Sequence, residues 1–383
     1  MKKYVIYILI ALAVSACIYP YDAEPAGEVP ERLVISGDIL IGEMTQVVLG
    51  YVMPLSTSAY ELRKAEAPEA TVTVESDNGQ SYRGVRGKDG RYTVDTRNAP
   101  DNARYRLAVK LADDREYTSP WSGVNQAPEI EDMWYEVDDE NMRLFCTLDG
   151  RDSLWNFCWD YEEVWEYHAY FMPDVLYIND TTYLESRMFK DYYYCWNTRQ
   201  STESGLASAD GLTVNKITGN NFHSLSRSDN RMSYLYSIQL TVRGLSSDAR
   251  VYMEHQRLMS NGTGDLFSPI PSEMRGNIRC VTNPDEQVVG FISVCQRASH
   301  RIFINVSPYH KSRENPNDLL FFPEPDEDGN YNLDALFVYN SPVTFDGEAP
   351  TRTNVIWGPK RCVDCRVWGG TKTKPEWWPN DDE

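Results

Sequence analysis

Most of the chain between Arg32 and Ser119 consists of short apolar and β-branched runs that alternate with polar residues, cut at close intervals by Asp, Asn and Gly. Leu33-Val34-Ile35-Ser36-Gly37, Thr45-Gln46-Val47-Val48-Leu49 and Ala70-Thr71-Val72-Thr73-Val74 are the clearest of these runs. A period of two buries one face of a strand and cannot form the stripe that a helix needs. Asp77-Asn78-Gly79 and Lys88-Asp89-Gly90 are hairpin-turn sequences, and Ala112-Asp113-Asp114 reverses the chain once more. Seven short strands in so small a span predict a β-sandwich of immunoglobulin or transthyretin-like kind over residues 32–122. Modules of this type bind, space or scaffold.

Pro120 and Pro128 bracket a linker, and beyond it the texture changes. Residues 155–196 hold 15 aromatics in 42 positions, against 12% aromatic residues in the whole chain. In Trp155-Asn156-Phe157-Cys158-Trp159-Asp160-Tyr161 the aromatics fall on one face of a strand, with Asn156, Cys158 and Asp160 opposite. Further strands are expected at 236–242, 288–296 and 301–306. One helix is expected at 247–260, capped by Ser246 or Ser247 and stopped at Asn261-Gly262. Its predicted buried face carries Val251, Tyr252, His255, Leu258 and Met259, which makes His255 a hydrogen-bonded core residue. Residues 129–383 therefore read as a larger, aromatic-rich, mainly-β domain with at least one amphipathic helix and a cysteine-containing tail. The adjacent Trp377 and Trp378 are expected to pack back onto it.

The aromatic segment has two readings. Trp155, Trp159, Trp165, Tyr167 and Trp196 can form a ligand surface, since indole and phenol planes stack on sugar rings and grip peptides. They can equally be the core of a β domain short of aliphatic residues. An open groove of at least about 300 Å³ would favour the first reading.

Acids are so numerous that adjacent pairs such as Glu162-Glu163 arise by chance. A pair beside aromatic platforms is nevertheless what a glycosidase uses. The nucleophile elbow, the metalloprotease helix, the phosphate loop and the dinucleotide fingerprint are all missing from the sequence. Its five histidines lack metal-ligand spacing, and Asp326-Glu327-Asp328-Gly329-Asn330 departs from a calcium loop. No catalytic residue, metal or cofactor is expected.

Eight cysteines include Cys17, which leaves seven downstream, an odd number. Cys146 and Cys158 flank the turn Asp149-Gly150-Arg151-Asp152 and could bridge neighbouring strands. Cys362-Val363-Asp364-Cys365 lies in a Gly/Pro-rich tail without the second ligand pair of a zinc site. A structural disulfide, within that pair or to another cysteine, is the reading for it.

The first 16 residues explain why disulfides are allowed. Lys2 and Lys3 precede an apolar run from Tyr4 to Val14, and Val14-Ser15-Ala16-Cys17 is a lipobox. The run is shorter than the roughly 20 residues that span a bilayer. Residues 1–16 read as a lipoprotein signal peptide, Cys17 as the lipidated N-terminus, and 17–31, with its prolines and acids, as a flexible tether. The formal charge is −20, and loss of Lys2 and Lys3 with the leader takes the mature chain to −22. That balance offers no basic face for nucleic acid.

Several segments together resemble one family, the exported lipoproteins of Bacteroidota classified only as a domain of unknown function and commonly encoded beside TonB-dependent outer-membrane transporters. They begin with Leu33-Val34-Ile35-Ser36-Gly37-Asp38, Glu116-Tyr117-Thr118-Ser119 and the run from Tyr161 to Ala169. Cys195-Trp196, the run from Gly264 to Ser272, that from Arg275 to Cys280, and Val289-Gly290-Phe291-Ile292 follow. Cys362-Val363-Asp364-Cys365, Gly369-Gly370 and Lys374-Pro375-Glu376-Trp377-Trp378-Pro379 complete the set, while Cys146 and Cys158 depart from it. The resemblance implies a lipid-anchored accessory protein of the outer membrane, at the cell surface or on the periplasmic face. Such a protein would be non-enzymatic and would bind a TonB-dependent transporter or its nutrient cargo, a glycan or peptide. A surface glycan hydrolase using Glu162 or Glu163, and a structural or adhesion lipoprotein, are the alternatives.

Overall fold

The computed structural model describes residues 32–52, 68–151, 153–179, 182–185, 190–261, 276–311 and 315–379. The expected signal peptide (1–16), Cys17 and the expected tether (17–31) lie outside these. The described chain is mainly β.

The first module contains β1 (Leu33–Leu40), β2 (Met44–Tyr51), β3 (Ala70–Ser76), β4 (Ser81–Arg86), β5 (Tyr92–Asp95), β6 (Arg104–Leu111), β7 (Glu116–Thr118) and β8 (Ser122–Gly123). Alternation does here what the sequence implies. Leu33, Ile35, Val47, Leu49 and Val94 of one layer share a core with Val72, Val74, Leu107, Val109 and Tyr117 of the other. Each such side chain, fully buried, stabilises the module by about 1.5–3 kcal/mol. Strand β4 pairs with β3 through Thr73–Glu75 and with β5 through Val94–Tyr92, so it carries the chain from one layer to the other. The expected turns are present: Gly79 takes a φ of +89°, which only glycine adopts freely, and Gln80 N–H donates to Asn78 Oδ1 at 3.1 Å.

Downstream come β9 (Glu129–Val137), β10 (Asn141–Asp149), β11 (Asn156–His168), the hairpin β12 (Val175–Asn179) and β13 (Thr182–Glu185), β14 (Tyr194–Gln200), β15 (Gly205–Ser208), β16 (Lys216–Ser226) and β17 (Leu235–Leu245). Helix α1 (Ser247–Asn261) follows, then β18 (Arg279–Cys280), β19 (Val294–Cys295), β20 (Arg297–Asn305), and a hairpin of β21 (Asn340–Phe345) and β22 (Val355–Pro359). The sheet β14-β11-β17-β20 and the three-stranded sheet β16-β10-β9 contribute to one core. Phe157 and Trp159 of β11 meet Met142 and Leu144 of β10 and Ile238 and Leu240 of β17 there.

The domain division needs a correction. Residues 129–383 are not one unit, because the segment around β18 and β19 returns to the first module. Strand β18 pairs with β7, and β19 runs parallel to β1. Ile278, Val288, Ile292 and Val294 enter the first core. The strand expected at 288–296 is thus mostly an extended edge against β1, with Ile35 N–H donating to Val289 O at 2.9 Å. A Cβ on Gly290 would lie 1.9 Å from Ile35 O, so glycine is required for that approach. Arg243 of β17 fastens the two modules, 3.2 Å from Asp38 of β1 and 2.9 Å from Asp160 of β11.

Helix α1 starts where expected, with Ser246 Oγ accepting from Ala249 N–H at 3.2 Å. Its face is the reverse of the expected one. Ala249, Tyr252 and Met253 turn toward Leu245, Cys158 and Phe291, whereas Val251, His255, Leu258 and Met259 are exposed. His255 is therefore not a core residue. Small Ala249 gives the closer approach to the sheet, and Tyr252 lies on the boundary of both faces.

Candidate ligand-binding site

Strand β11 runs through the second module for 13 residues, and its odd-numbered side chains share one face. Along that face Phe157 and Trp159 are core, Glu163 is only 1% exposed, and Trp165 and Tyr167 reach the edge of a cleft. Register with β14 then sets the neighbours: Glu163 stands opposite Arg199, Trp165 opposite Asn197, and Tyr167 opposite Cys195. Residues facing each other across antiparallel strands lie within about 5.5 Å, so these three pairs form one surface.

A carboxylate buried this deeply needs partners. Glu163 accepts from Arg231 Nη1 at 2.7 and 2.9 Å and from the Tyr236 hydroxyl at 2.7 Å, and His223 Nε2 lies 3.0 Å away. Burial raises its pKa, but His223, Arg231 and Tyr236 outweigh burial and hold the carboxyl below its ordinary value. Arg231 also donates from Nε and Nη2 to Asp229, at 3.0 and 2.8 Å. Asp229 in turn caps the turn 230–232, accepting from Arg231 N–H at 2.9 Å, and it too is held below its ordinary pKa by Arg231 against the effect of burial. Burial likewise sends the Tyr236 hydroxyl well up, with Glu163 adding to it.

The far wall of the cleft comes from the C-terminal segment. Cys195 is bonded to Cys365, 170 residues away, which brings the 3₁₀ turn Cys365–Trp368 onto the Trp165 face of β14. The Tyr167 hydroxyl donates to Cys365 O, Trp368 Nε1–H donates to Arg361 O at 3.2 Å, and Asn197 Nδ2 donates to Trp368 O at 3.4 Å. Beyond it, Trp196 and Thr371 exchange backbone hydrogen bonds of 2.8 Å, closing the outer edge of β14. The result is a cleft of about 210 Å³ lined by Trp165, Tyr167, Arg199, Asp229, Asn230, Arg231 and Trp368. That is below the groove of about 300 Å³ that would take a whole drug-sized ligand. It suits a single ring of a larger molecule. It offers stacking planes, one exposed guanidinium on Arg199, and polar groups on the turn.

Only two of the five expected aromatics meet here. Trp159 is core, packed so closely that a Cβ on Gly205 would lie 2.0 Å from its ring. Trp196 is buried with Val164 and Trp378. Trp155 is 36% exposed but precedes the far end of β11, about 30 Å of strand from Trp165. The five are not one surface. Arg199, the 229–231 turn and Trp368 are partners that the sequence reading missed. Asp229 had a detectable signal, an Asp ahead of a tight turn, whereas Trp368 follows from the disulfide alone.

Of the cysteine expectations, the tail's structural disulfide runs to another cysteine: Cys365 is bonded to Cys195 and not to Cys362. Cys146 and Cys158 do not bridge: their strands belong to different sheets, and both are buried thiols. Burial pushes Cys146 up to about 11 and Cys158 up to about 12. Trp378 packs back as expected, its Nε1–H donating to Glu166 Oε2 at 2.9 Å, and Trp377 lies under the Arg301 guanidinium at 4.0 Å. Asp326 closes its own loop, accepting from Asp328 and Asn330 N–H at 3.1 and 2.7 Å.

These features describe a mainly-β protein of two interlocked modules, with a small aromatic cleft pinned by a disulfide in the second. The family described as a domain of unknown function (DUF4249) matches residues 18–301, and the chain belongs to it. The comparison with curated proteins finds no match. Trp368 and Cys365 lie beyond the matched residues, while the rest of the cleft lies within them.

Proposed function

We propose that this protein is a lipid-anchored accessory protein of the outer membrane, tethered through Cys17 at the cell surface, that binds a TonB-dependent transporter or its cargo and performs no bond chemistry. The observation that carries the reading is the state of the two acids a hydrolase would use. Glu163 has its carboxyl held below the ordinary range and is enclosed by Arg231, Tyr236 and His223, and Glu162 accepts from Arg301 at 2.6 Å and from Gln200 at 2.6 Å. A glycosidase acid needs a raised pKa and access to a leaving group. Glu163 has the opposite shift and almost no exposure. Its ion-pair cluster instead holds the cleft wall in place, as a binding site requires.

The lipobox and the acidic, proline-rich tether support anchoring, and the family likeness to Bacteroidota lipoproteins encoded beside transporters supports the partner. Among the described residues no helix is long and apolar enough to cross a membrane. Gentle solubilisation of native membranes, capture through a C-terminal tag and mass spectrometry test the proposal. The expected result is a TonB-dependent transporter at equal stoichiometry and an acylated Cys17. Recovery of the lipoprotein alone, or glycan hydrolysis lost in Glu163→Gln, would overturn it.

A further inference from the structure

The cleft has a chemical character more specific than an aromatic patch, and Arg199 gives it. Arg231 is held between two carboxylates, Nη1 on Glu163 and Nε and Nη2 on Asp229, so its charge is already neutralised. Arg199 is exposed on the same face, opposite Glu163 in the ladder, and its charge reaches Asp229 and Tyr161 across the cleft. An exposed guanidinium in a cleft that also holds Trp165 and Trp368 can fork onto one carboxylate of a ring that the indoles contact. Asp229 and Asn230 line the same cleft and offer polar atoms to ring hydroxyls. The volume, about 210 Å³, holds one such ring.

We propose that this cleft is a subsite for a uronic-acid residue of a polysaccharide, a pyranose stacked against the indoles with its carboxylate on Arg199. The assignment rests on the reading of the protein as a binder of cargo and names the class of that cargo. A peptide fits less well. Extended peptides add to an open strand edge, and the edge of β14 beside the cleft is already paired through Trp196 and Thr371. The mature chain's charge of −22 repels polyanions at a distance, so salt relieves that repulsion while it weakens the exposed Arg199 contact.

Titration calorimetry on the full mature chain in detergent, with oligogalacturonate and oligoglucuronate as probes and neutral oligogalactose as the control, tests this. At least one uronate oligomer is expected to bind ten or more times tighter than the control. Arg199→Gln removes that preference, and Trp368→Ala weakens acidic and neutral sugars alike. Circular dichroism confirms that each variant is folded. Failure of both uronates to bind the folded wild-type protein, an unchanged preference in Arg199→Gln, or tighter binding of an acidic peptide overturns the assignment. Transporter recovery from wild-type membranes is scored separately. A transporter recovered without uronate binding removes the subsite and leaves the accessory role; uronate binding without a transporter does the reverse.

Discussion

The two modules solve the same packing problem with different materials. The first buries Leu33, Ile35, Val72, Val109 and their neighbours in a mostly aliphatic core, joined by Tyr92, Tyr105 and Tyr117, whose buried polar groups are hydroxyls such as Thr45 and Thr96, 2.9 Å apart. The second buries Glu163 and Glu166, surrounds them with Arg231, Tyr236, His223, His168 and Trp378, and builds its walls from indoles. Hydroxyl pairs and aliphatic contacts tolerate substitution, whereas a buried charge is costly whenever a partner leaves. A module that only spaces or supports has no need of that liability. On the proposed function, the first module serves as scaffold and the second carries the binding cleft.

The comparison can be broken at several points. Cys365→Ser opens a 170-residue closure and should lower the stability of the second module by about 3–5 kcal/mol, with Trp368 released from the cleft. Denaturation of variant and wild type, read by tryptophan fluorescence, would measure it; no loss would mean the tail is held without the bridge. Arg231→Met strands Glu163 in the interior and should cost about 3 kcal/mol. Adding Glu163→Gln should recover part of that cost, so a double-mutant cycle that sums additively argues against the cluster.

Acid should weaken the second module before the first. Glu163 and Asp229 have folded pKa values below their unfolded ones, so their contribution is complete above the unfolded values and is lost as pH falls through the folded ones. Unfolding between about pH 5 and pH 2 should show the loss, and Glu163→Gln should flatten it. Ile35→Val in the aliphatic core should cost only about 1 kcal/mol and be indifferent to pH. Cys146 and Cys158, with thiols pushed up to about 11 and about 12, should resist alkylation at pH 8 in the native protein and react once it is unfolded.

The longer strands of the first module, β4 aside, were legible because one face of each is buried and the turns carry Asp-Asn-Gly or Asp-Gly. The inward face of β11 was legible for the same reason, as Phe157 and Trp159 show. What alternation cannot encode is which strand lies alongside. The Arg199–Glu163 register, the Cys195–Cys365 bridge and the return of 276–295 to the first core are choices among distant partners. On α1 the apolar residues surround the helix, so periodicity did not decide its face, and the small Ala249 did.

Hydrogen exchange compares the modules most directly, with the full mature chain measured alone and in the complex captured from membranes. The account expects new protection at 163–168, 195–199, 229–231 and 365–371, with β3 and β6 unchanged. Protection confined to β3–β6, with the cleft still exchanging as in the free protein, would place binding on the first module and contradict it.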